Sequence, residues 1–495
     1  MKLILFLGFL LFAFPCLSQN RSNVWELSYS TELIYPNSEM TFTNGEADTQ
    51  SVSRIMSIYI TNASISDMSG NLLFYTNGIT IGNKNYDTLQ NAINFNPGYA
   101  TSFYDPDGLG ISQGALILQH PGNEDQFYIF YVTAEPITAN GVNDTNPLYL
   151  SYSVVDMNLD NGLGGIIETQ KNLHAIDDTL VLGRLTSCKH ANGRDWWIIT
   201  HEYYTDVYYK LLLTPNGIEG PFSQQIGSKF LWHDVFGQAV FSPDGSRFAM
   251  MNASDTLDFM EFDRCTGEFF NAQSFVIPDS VGTYGCSFSP SSRFLYASSK
   301  YQLYQYDTWN SDMVNDVIHI ASWDSFYAQN TAVLFFMHQL ASDNKIYLGT
   351  FNGSKYLNVI NYPDSVGNAC FFDPHSFVLP QYNNNVPNFP NYDLGPVPGS
   401  PCDTLYLSDI KQQERNVSFR ISPNPAVDWF NIVYDTDHNI SATIYDAFGR
   451  EVKQFTLYPW FKNRIVYIDD LLTGVYLLTL SSHSWKQTMK LIVAK

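Results

Sequence analysis

One hydrophobic–polar pattern recurs along most of the chain: an apolar strand, a tight polar turn, then a second strand rich in aromatic and β-branched residues. Its clearest copy is Ala239-Val240-Phe241, the turn Ser242-Pro243-Asp244-Gly245, and Arg247-Phe248-Ala249-Met250. A second copy runs through Cys286-Ser287-Phe288, Ser289-Pro290-Ser291-Ser292 and Arg293-Phe294-Leu295-Tyr296. A third joins Leu340-Ala341-Ser342-Asp343-Asn344 to Lys345-Ile346-Tyr347-Leu348. Upstream copies carry turns at Asp67-Met68-Ser69-Gly70, His120-Pro121-Gly122-Asn123 and Lys189-His190-Ala191-Asn192-Gly193. Proline presets the backbone for a tight turn, and Gly or Asn in such a turn accepts a positive φ.

The turns fall roughly 50 residues apart, with one interval nearer 70, which matches the length of a four-stranded propeller blade. Leu257-Asp258-Phe259-Met260-Glu261-Phe262, a turn at Asp263 to Gly267, and Glu268-Phe269-Phe270 read as the outer hairpin of one blade. Six blades are visible. A seventh is expected from the strand at Trp25-Glu26-Leu27 combined with residues 371–379, because closing the ring removes exposed sheet edges. The aromatic share of 15% suits a pleated, half-buried surface, and runs of Ala, Leu, Glu and Lys at helical spacing are missing. The predicted fold is therefore all-β: a six- or seven-bladed β-propeller over residues 19–400, followed by a small C-terminal β-sandwich.

The sandwich is read from the last 75 or so residues. Residues 393–408 are rich in Pro, Gly and Asp, and residues 411–416 are polar without periodicity, so 401–419 reads as a linker. Short alternating strands follow, with turns at Asp446-Ala447-Phe448-Gly449 and Leu472-Thr473-Gly474. That length is near the smallest that folds alone. Ser422-Pro423-Asn424-Pro425, Tyr445-Asp446 to Gly449-Arg450-Glu451-Val452, Thr473-Gly474-Val475-Tyr476-Leu477 and the ending Lys490-Leu491-Ile492-Val493-Ala494-Lys495 stand in that order. This set resembles the type A sorting domain of the type IX secretion system, with Ala494 near the basic end as its one departure. The resemblance implies recognition of residues 420–495 by an outer-membrane translocon, and release or surface attachment of the body. Pro423, Asn424, Pro425, Asp446, Gly449, Arg450, Gly474, Val475, Tyr476 and Lys490 would carry that recognition. The body is similar to a propeller family that travels with such domains, through Gly70-Asn71-Leu72-Leu73-Phe74-Tyr75, Ser153-Val154-Val155-Asp156-Met157, Lys189 to Gly193 and Pro387-Asn388-Phe389-Pro390-Asn391-Tyr392. That likeness implies fold and address, and no chemistry.

The N-terminus agrees with export. Lys2 supplies a positive start, residues 3–14 are apolar, Pro15 breaks the run, and Cys16-Leu17-Ser18 offers small residues for cleavage between Ser18 and Gln19. The run is too short to span a bilayer, and no later segment is long enough. Lipidation at Cys16 is disfavoured by Pro15 before it. Without Cys16, five cysteines remain: Cys188, Cys265, Cys286, Cys370 and Cys402. An odd, scattered set without C-x-x-C is neither a disulfide framework nor a zinc site, so buried thiols are expected, with a Cys265–Cys286 bridge conceivable.

The formal charge is −22. Residues 420–495 carry 8 basic and 7 acidic groups of the 26 and 48 in the whole chain, which leaves 18 and 41, a net −23, on the rest. Such a surface repels a phosphate backbone, so nucleic acid is not an expected partner. No cofactor is implied.

Chemistry-bearing residues are sparse. Gly110-Ile111-Ser112-Gln113-Gly114 matches a nucleophile-elbow pattern, but a strand follows it where the elbow needs a helix. Asp105-Pro106-Asp107-Gly108 is explained by turn chemistry as well as by a calcium shell, which needs more oxygens. Gly162-Leu163-Gly164-Gly165 lacks dinucleotide-binding context and is a loop. Asp-Thr-Leu and Asp-Ser-Val triplets, such as those at Asp178 and Asp364, resemble O-glycosylation acceptors. His190, His201, Glu202, His233 and Asp234 lie near strand ends in neighbouring blades. They either converge at one mouth of the central channel as ligand residues or hydrogen-bond within their turns. The expected function is an exported, cell-surface or secreted propeller that binds a glycan, a peptide or a surface protein without catalysis. The alternatives are a hydrolase or lyase acting on extracellular polysaccharide or peptide, and a structural element of the surface layer or gliding machinery.

Overall fold

A computed structural model describes residues 20–403 and 419–495, apart from 30–35, 44, 55, 140, 231–235, 253–255, 279–281, 435–438, 447–448 and 482–485. The chain divides into two units, 1–404 and 405–495. The N-terminal leader and the cleavage position at Ser18 and Gln19 lie outside the described residues.

The repeated strand–turn–strand pattern folds as read, because each copy is the inner hairpin of its own antiparallel sheet. Four sheets have four strands in sequential order. They are Thr186–Lys189 to Gly217–Gln225, Ala239–Phe241 to Glu268–Val276, Thr283–Phe288 to Ile318–Ser322, and Phe335–Leu340 to Phe372–Asn383. Before them come sheets built on Val24–Leu27, Asn37–Thr43 and Glu46–Val52, and on Ala63–Ser66, Leu72–Thr76 and Ile81–Asn83. Between these and the four lies a larger sheet on Ala115–Gln119, Gln126–Tyr131 and Tyr149–Asp156, whose outer edge is shared by Gly165–Ile166 and Leu173–Asp177. That extra edge strand, with the ribbon Glu135–Ala139 and Val142–Asn146, accounts for the one long interval between turns.

Successive sheets bury their faces against each other. The fourth and fifth share Trp197, Tyr208, Phe248 and Phe262; the fifth and sixth share Met251, Phe259, Phe288 and Tyr306; the sixth and seventh share Tyr296, Phe335, Leu348 and Ile360. The second, third and fourth meet around Phe74, Ile117, Phe130 and Ile198, and the first and second around Val24, Ile58 and Tyr75. The ring closes because Trp25 and Phe42 of the first sheet pack on Tyr347 of the seventh, with ring centroids 5.7 and 5.9 Å away. The unit is a seven-bladed propeller. Inner strands are buried on both faces, so all six residues of Trp196–His201 are buried, whereas the outermost strand Gly217–Gln225 is mostly exposed.

Two expectations need correction. Residues 371–379 do not join the Trp25 strand, since Phe372–Asn383 is the outer strand of the seventh blade. The end of that outer strand meets the chain just after Val24–Leu27, the Tyr29 amide donating to the Tyr382 carbonyl (2.9 Å) and the Ser28 amide to Asn383 Oδ1 (3.2 Å), and further on Phe389 faces Trp25 at 6.1 Å. Cys265 is bridged to Cys402, not Cys286, and Cys188, Cys286 and Cys370 are buried free thiols. The Pro/Gly-rich stretch from Asp393 is consequently part of the fold, and residues 401–403 belong to the propeller rather than to the linker. Residues 404–418 lie outside the described set.

The C-terminal unit packs a three-stranded sheet (Arg420–Ser422, Trp429–Val433, Asn463–Tyr467) on a four-stranded one (Glu451–Leu457, Ile440–Tyr445, Gly474–Ser481, Lys486–Val493). Between them lies a core of its own with Phe430, Ile432, Ile444, Leu478 and Leu491. It is the expected β-sandwich. No described helix is long and apolar enough to cross a membrane, which says nothing of β-barrels.

Candidate functional site

The centre of the propeller is closed by amide side chains. Inner strands present unpaired peptide groups to the axis, and a buried N–H or C=O without a partner is costly. Asn388, in the segment returning along the first blade, donates through Nδ2 to the Ala115 and Leu185 carbonyls (3.0 and 2.9 Å), and its backbone amide donates to the Asn62 carbonyl (2.9 Å). Gln113 donates to Asn388 Oδ1 (3.0 Å) and exchanges two bonds with the Ala239 backbone. Gln238 accepts from the Cys286 and His338 amides and donates to the His338 carbonyl (2.6 Å). Three amides thus tie the inner strands of blades two to seven, leaving a cavity at each end of the axis.

The front cavity, on the side of the recurring turns, has a volume of about 470 Å³ and is lined by Ser242, Ser287, Ser342, Asn388 and Asp393 among others. The segment after Asn388 runs across this side. Tyr392 donates to the Ile117 carbonyl (2.8 Å) and Asn391 to the Pro243 carbonyl (2.7 Å). Arg264 gathers the carbonyls of Lys189, His190 and Gly395 (2.8, 3.2 and 2.5 Å), and the Cys265–Cys402 bridge ends the strap. The Pro387 to Tyr392 motif is therefore a plug.

The back cavity, at the opposite mouth, is about 930 Å³. Its wall combines Tyr29, Tyr59, Phe236, Phe351 and Tyr382 with the amides of Gln329, Asn352, Gln381 and Asn384 and with Lys355. Lys355 donates to the Pro380 carbonyl at 2.9 Å. Among the described residues the lining contains no carboxylate.

The residues singled out from the sequence do not converge. His190 is in the front-side turn of the fourth blade, with Nε2 3.1 Å from the Cys265 carbonyl and Nδ1 accepting from the Asn192 amide (3.2 Å). His201 and Glu202 are at the other end of the same strand, on the back side. His201 is buried between Tyr208 and Phe230, both 4.5 Å away, and its Nδ1 is 2.7 Å from the Glu202 carbonyl. Burial pushes this imidazole down to about 3. His233 and Asp234 lie outside the described residues. None of the placed three lines either cavity. Ser112 is fully buried beside the axis, away from any surface a substrate reaches. Among the described residues no group of three or more His, Cys, Asp and Glu is arranged to hold a metal.

In the C-terminal unit the motifs meet one another. Asn424 Nδ2 donates to the Lys490 carbonyl and its Oδ1 accepts from the Ile492 amide, both at 2.8 Å, so Pro423-Asn424-Pro425 is clamped to the last strand. Ala426 continues that contact, donating to the Ile492 carbonyl and accepting from the Ala494 amide. Asp446 caps its turn by accepting from the Arg450 amide (3.0 Å) and pairing with its guanidinium (2.8 Å), while Gly449 takes a φ of +77° that favours glycine. Tyr476 donates to the Leu472 carbonyl (2.9 Å), and Thr473 and Lys495 exchange two bonds, so Thr473-Gly474-Val475-Tyr476 holds the end of the chain.

Residues 420–494 match the family described as the secretion system C-terminal sorting domain. The C-terminal unit is a secretion sorting domain. The chain is thus directed through the type IX system to the cell surface or the extracellular space. The sorting domain accounts for the four motifs, and the match does not extend to the propeller. No curated protein matches the chain in sequence. Among solved structures it is similar to a putative 6-phosphogluconolactonase from Bacteroides uniformis (11% identity, TM-score 0.37, 90% of this chain and 99% of that one). It is also similar to a periplasmic gluconolactonase from Pseudomonas aeruginosa (11%, 0.35, 90% and 98%) and to a β-propeller domain from Myceliophteria thermophila (9%, 0.31, 77% and 97%). At these values the likeness carries nothing about the chemistry of this chain.

Sequence reasoning missed the back-mouth residues. Tyr29, Tyr59 and Phe236 come from different parts of the ring, Phe351 and Tyr382 from the seventh blade, and they share no local motif; only the closing of the ring assembles them.

Proposed function

We propose that the propeller is a non-enzymatic binding domain, delivered outside the cell by its sorting domain, and that the back mouth is its binding site. The observation that carries this reading is the composition of that mouth: among the described residues, aromatic rings, uncharged amides and Lys355 line a cavity of about 930 Å³. Such a wall recognises shape, apolar faces and hydrogen-bonding groups. Glycoside hydrolysis by the usual route needs two carboxyl groups facing across a cleft, and none lines the back mouth among the described residues. At the front mouth Asp393 is the single acidic lining residue among those described.

The test is to mix the purified chain with insoluble extracellular polymer and sediment it, while following reducing ends and free amines in the supernatant. The expected result is depletion of the protein from solution without release of product. Product accumulating in proportion to added protein, or no depletion at all, would overturn the reading.

A further inference from the structure

The back mouth does not end at the cavity rim. Tyr29 stands 4.9 Å from Tyr59, Tyr59 5.8 Å from Tyr104, Tyr104 5.0 Å from Phe103, and Phe103 6.2 Å from Tyr99. Five rings therefore form one continuous strip from the cavity to the short helix Tyr99–Tyr104. Its outer end is open to solvent, with Phe103 67% and Tyr99 48% exposed and their planes within 21° of parallel. At the start of this helix the Tyr99 amide donates to Glu135 Oε1 (2.9 Å). Exposed rings in a row contribute little to folding, and a contiguous apolar strip on a soluble surface marks a contact site.

Inside the cavity a second feature asks for a ligand. Asn384 is only 8% exposed and lines the wall, yet its carboxamide makes no hydrogen bond among the described residues. That carboxamide faces the cavity and can bond what enters it. Its oxygen is admitted by Gly353: a Cβ there would lie 2.1 Å from Asn384 Oδ1, at a φ of +73°.

We infer that the strip and cavity together bind a chain of an uncharged polysaccharide. This rests on the binding reading above and names the class of ligand. Apolar C–H faces of sugar rings stack on the negative faces of aromatic rings, and a row of five suits an extended chain better than a single sugar. Amides offer donor and acceptor side by side, as vicinal hydroxyls require. Proline-rich peptides also stack on aromatic strips, but proline has no N–H to give the acceptors of Asn384 and Gln381. The charge selects against polyanions: residues 1–419 carry a net −23, and Asp105 and Asp107 follow Tyr104 directly in the chain.

The experiment is native affinity electrophoresis of the purified full chain in gels containing xylan, mixed-linkage β-glucan, mannan or dextran, with polygalacturonate as the polyanion and poly-L-proline as the peptide probe. At least one neutral polymer should retard the wild type. Tyr99→Ala with Phe103→Ala should weaken that retardation at least tenfold without moving the unfolding midpoint, since both rings are exposed. Asn384→Ala should weaken it as well. Retardation only by polygalacturonate or poly-L-proline, none by any neutral polymer, or full retention in the double variant would overturn the assignment. If sedimentation with extracellular polymer persists while neutral polysaccharides fail, the glycan assignment falls and the binding reading stands; loss of both removes both.

Discussion

Two buried histidines show how far a titratable side chain here departs from its ordinary behaviour. His338 sits at the axis beside the amide of Gln238, with Nε2 2.8 Å from the Ser298 hydroxyl, and burial holds it near 3, like His201. An ordinary histidine titrates near 6.5. Both rings are thus neutral in the folded protein while the unfolded chain takes up protons below about pH 6.5. Their contribution to stability is complete above that pH and is lost as the pH falls toward 3. The slope is about 1.4 kcal/mol per pH unit for each ring. His338→Gln keeps a polar group within reach of Ser298 and cannot take up a proton. Urea unfolding between pH 6 and pH 4 should shift the stability difference in the variant's favour by about that slope. A difference that stays constant with pH would mean that His338 is protonated in the folded state.

At the level of strands and turns, the sequence was most readable where burial is complete on both faces. Runs such as Trp196-Trp197-Ile198-Ile199 are continuous because neighbouring blades cover each side, and the turns between inner strands need Pro, Asp, Asn or Gly at fixed places. Outer strands such as Glu268–Val276 are mostly exposed and leave little pattern. The segment after Asn383 was opaque for a different reason. It has no strand periodicity, and Asn388 within it bonds to carbonyls more than 200 positions away, those of Ala115 and Leu185. Spacing was equally silent about the bridge between Cys265 and Cys402, which spans 137 residues. Closing so long a loop restricts the unfolded chain, by roughly 4–5 kcal/mol in the loop-entropy treatment. Cys402→Ser should lower the unfolding free energy by an amount of that order, to be read from chemical denaturation under non-reducing conditions. Thiol titration of the denatured wild type without the leader should find three free cysteines, rising to five on reduction. Equal stability of the variant would show that the strap is held by Arg264 and Tyr392 alone.

For the whole molecule, two units have separate cores, and the address lies in the second. The address was legible in the chain because its motifs are local and ordered, and the fold explains their spacing: Asn424 bonds across to Lys490 and Ile492, so distant motifs are one structure. The proposed recognition surface was not legible, because its rings are gathered from the first 104 residues, from Phe236 and from the last blade. Separate cores also mean that loss of one unit should leave the other intact. Deleting residues 420–495 removes every strand of the sandwich and none of the propeller. The body should then accumulate in the periplasm with its Cys265–Cys402 bridge formed and its unfolding midpoint unchanged. Asn424→Ala, which cuts only the clamp on the last strand, should lower surface display without abolishing folding. Cell fractionation with protease shaving of intact cells separates these outcomes. A truncated body displayed normally at the surface would show that the propeller carries an export determinant of its own. A body degraded in the periplasm would show that the sandwich supports the propeller's fold as well as its delivery.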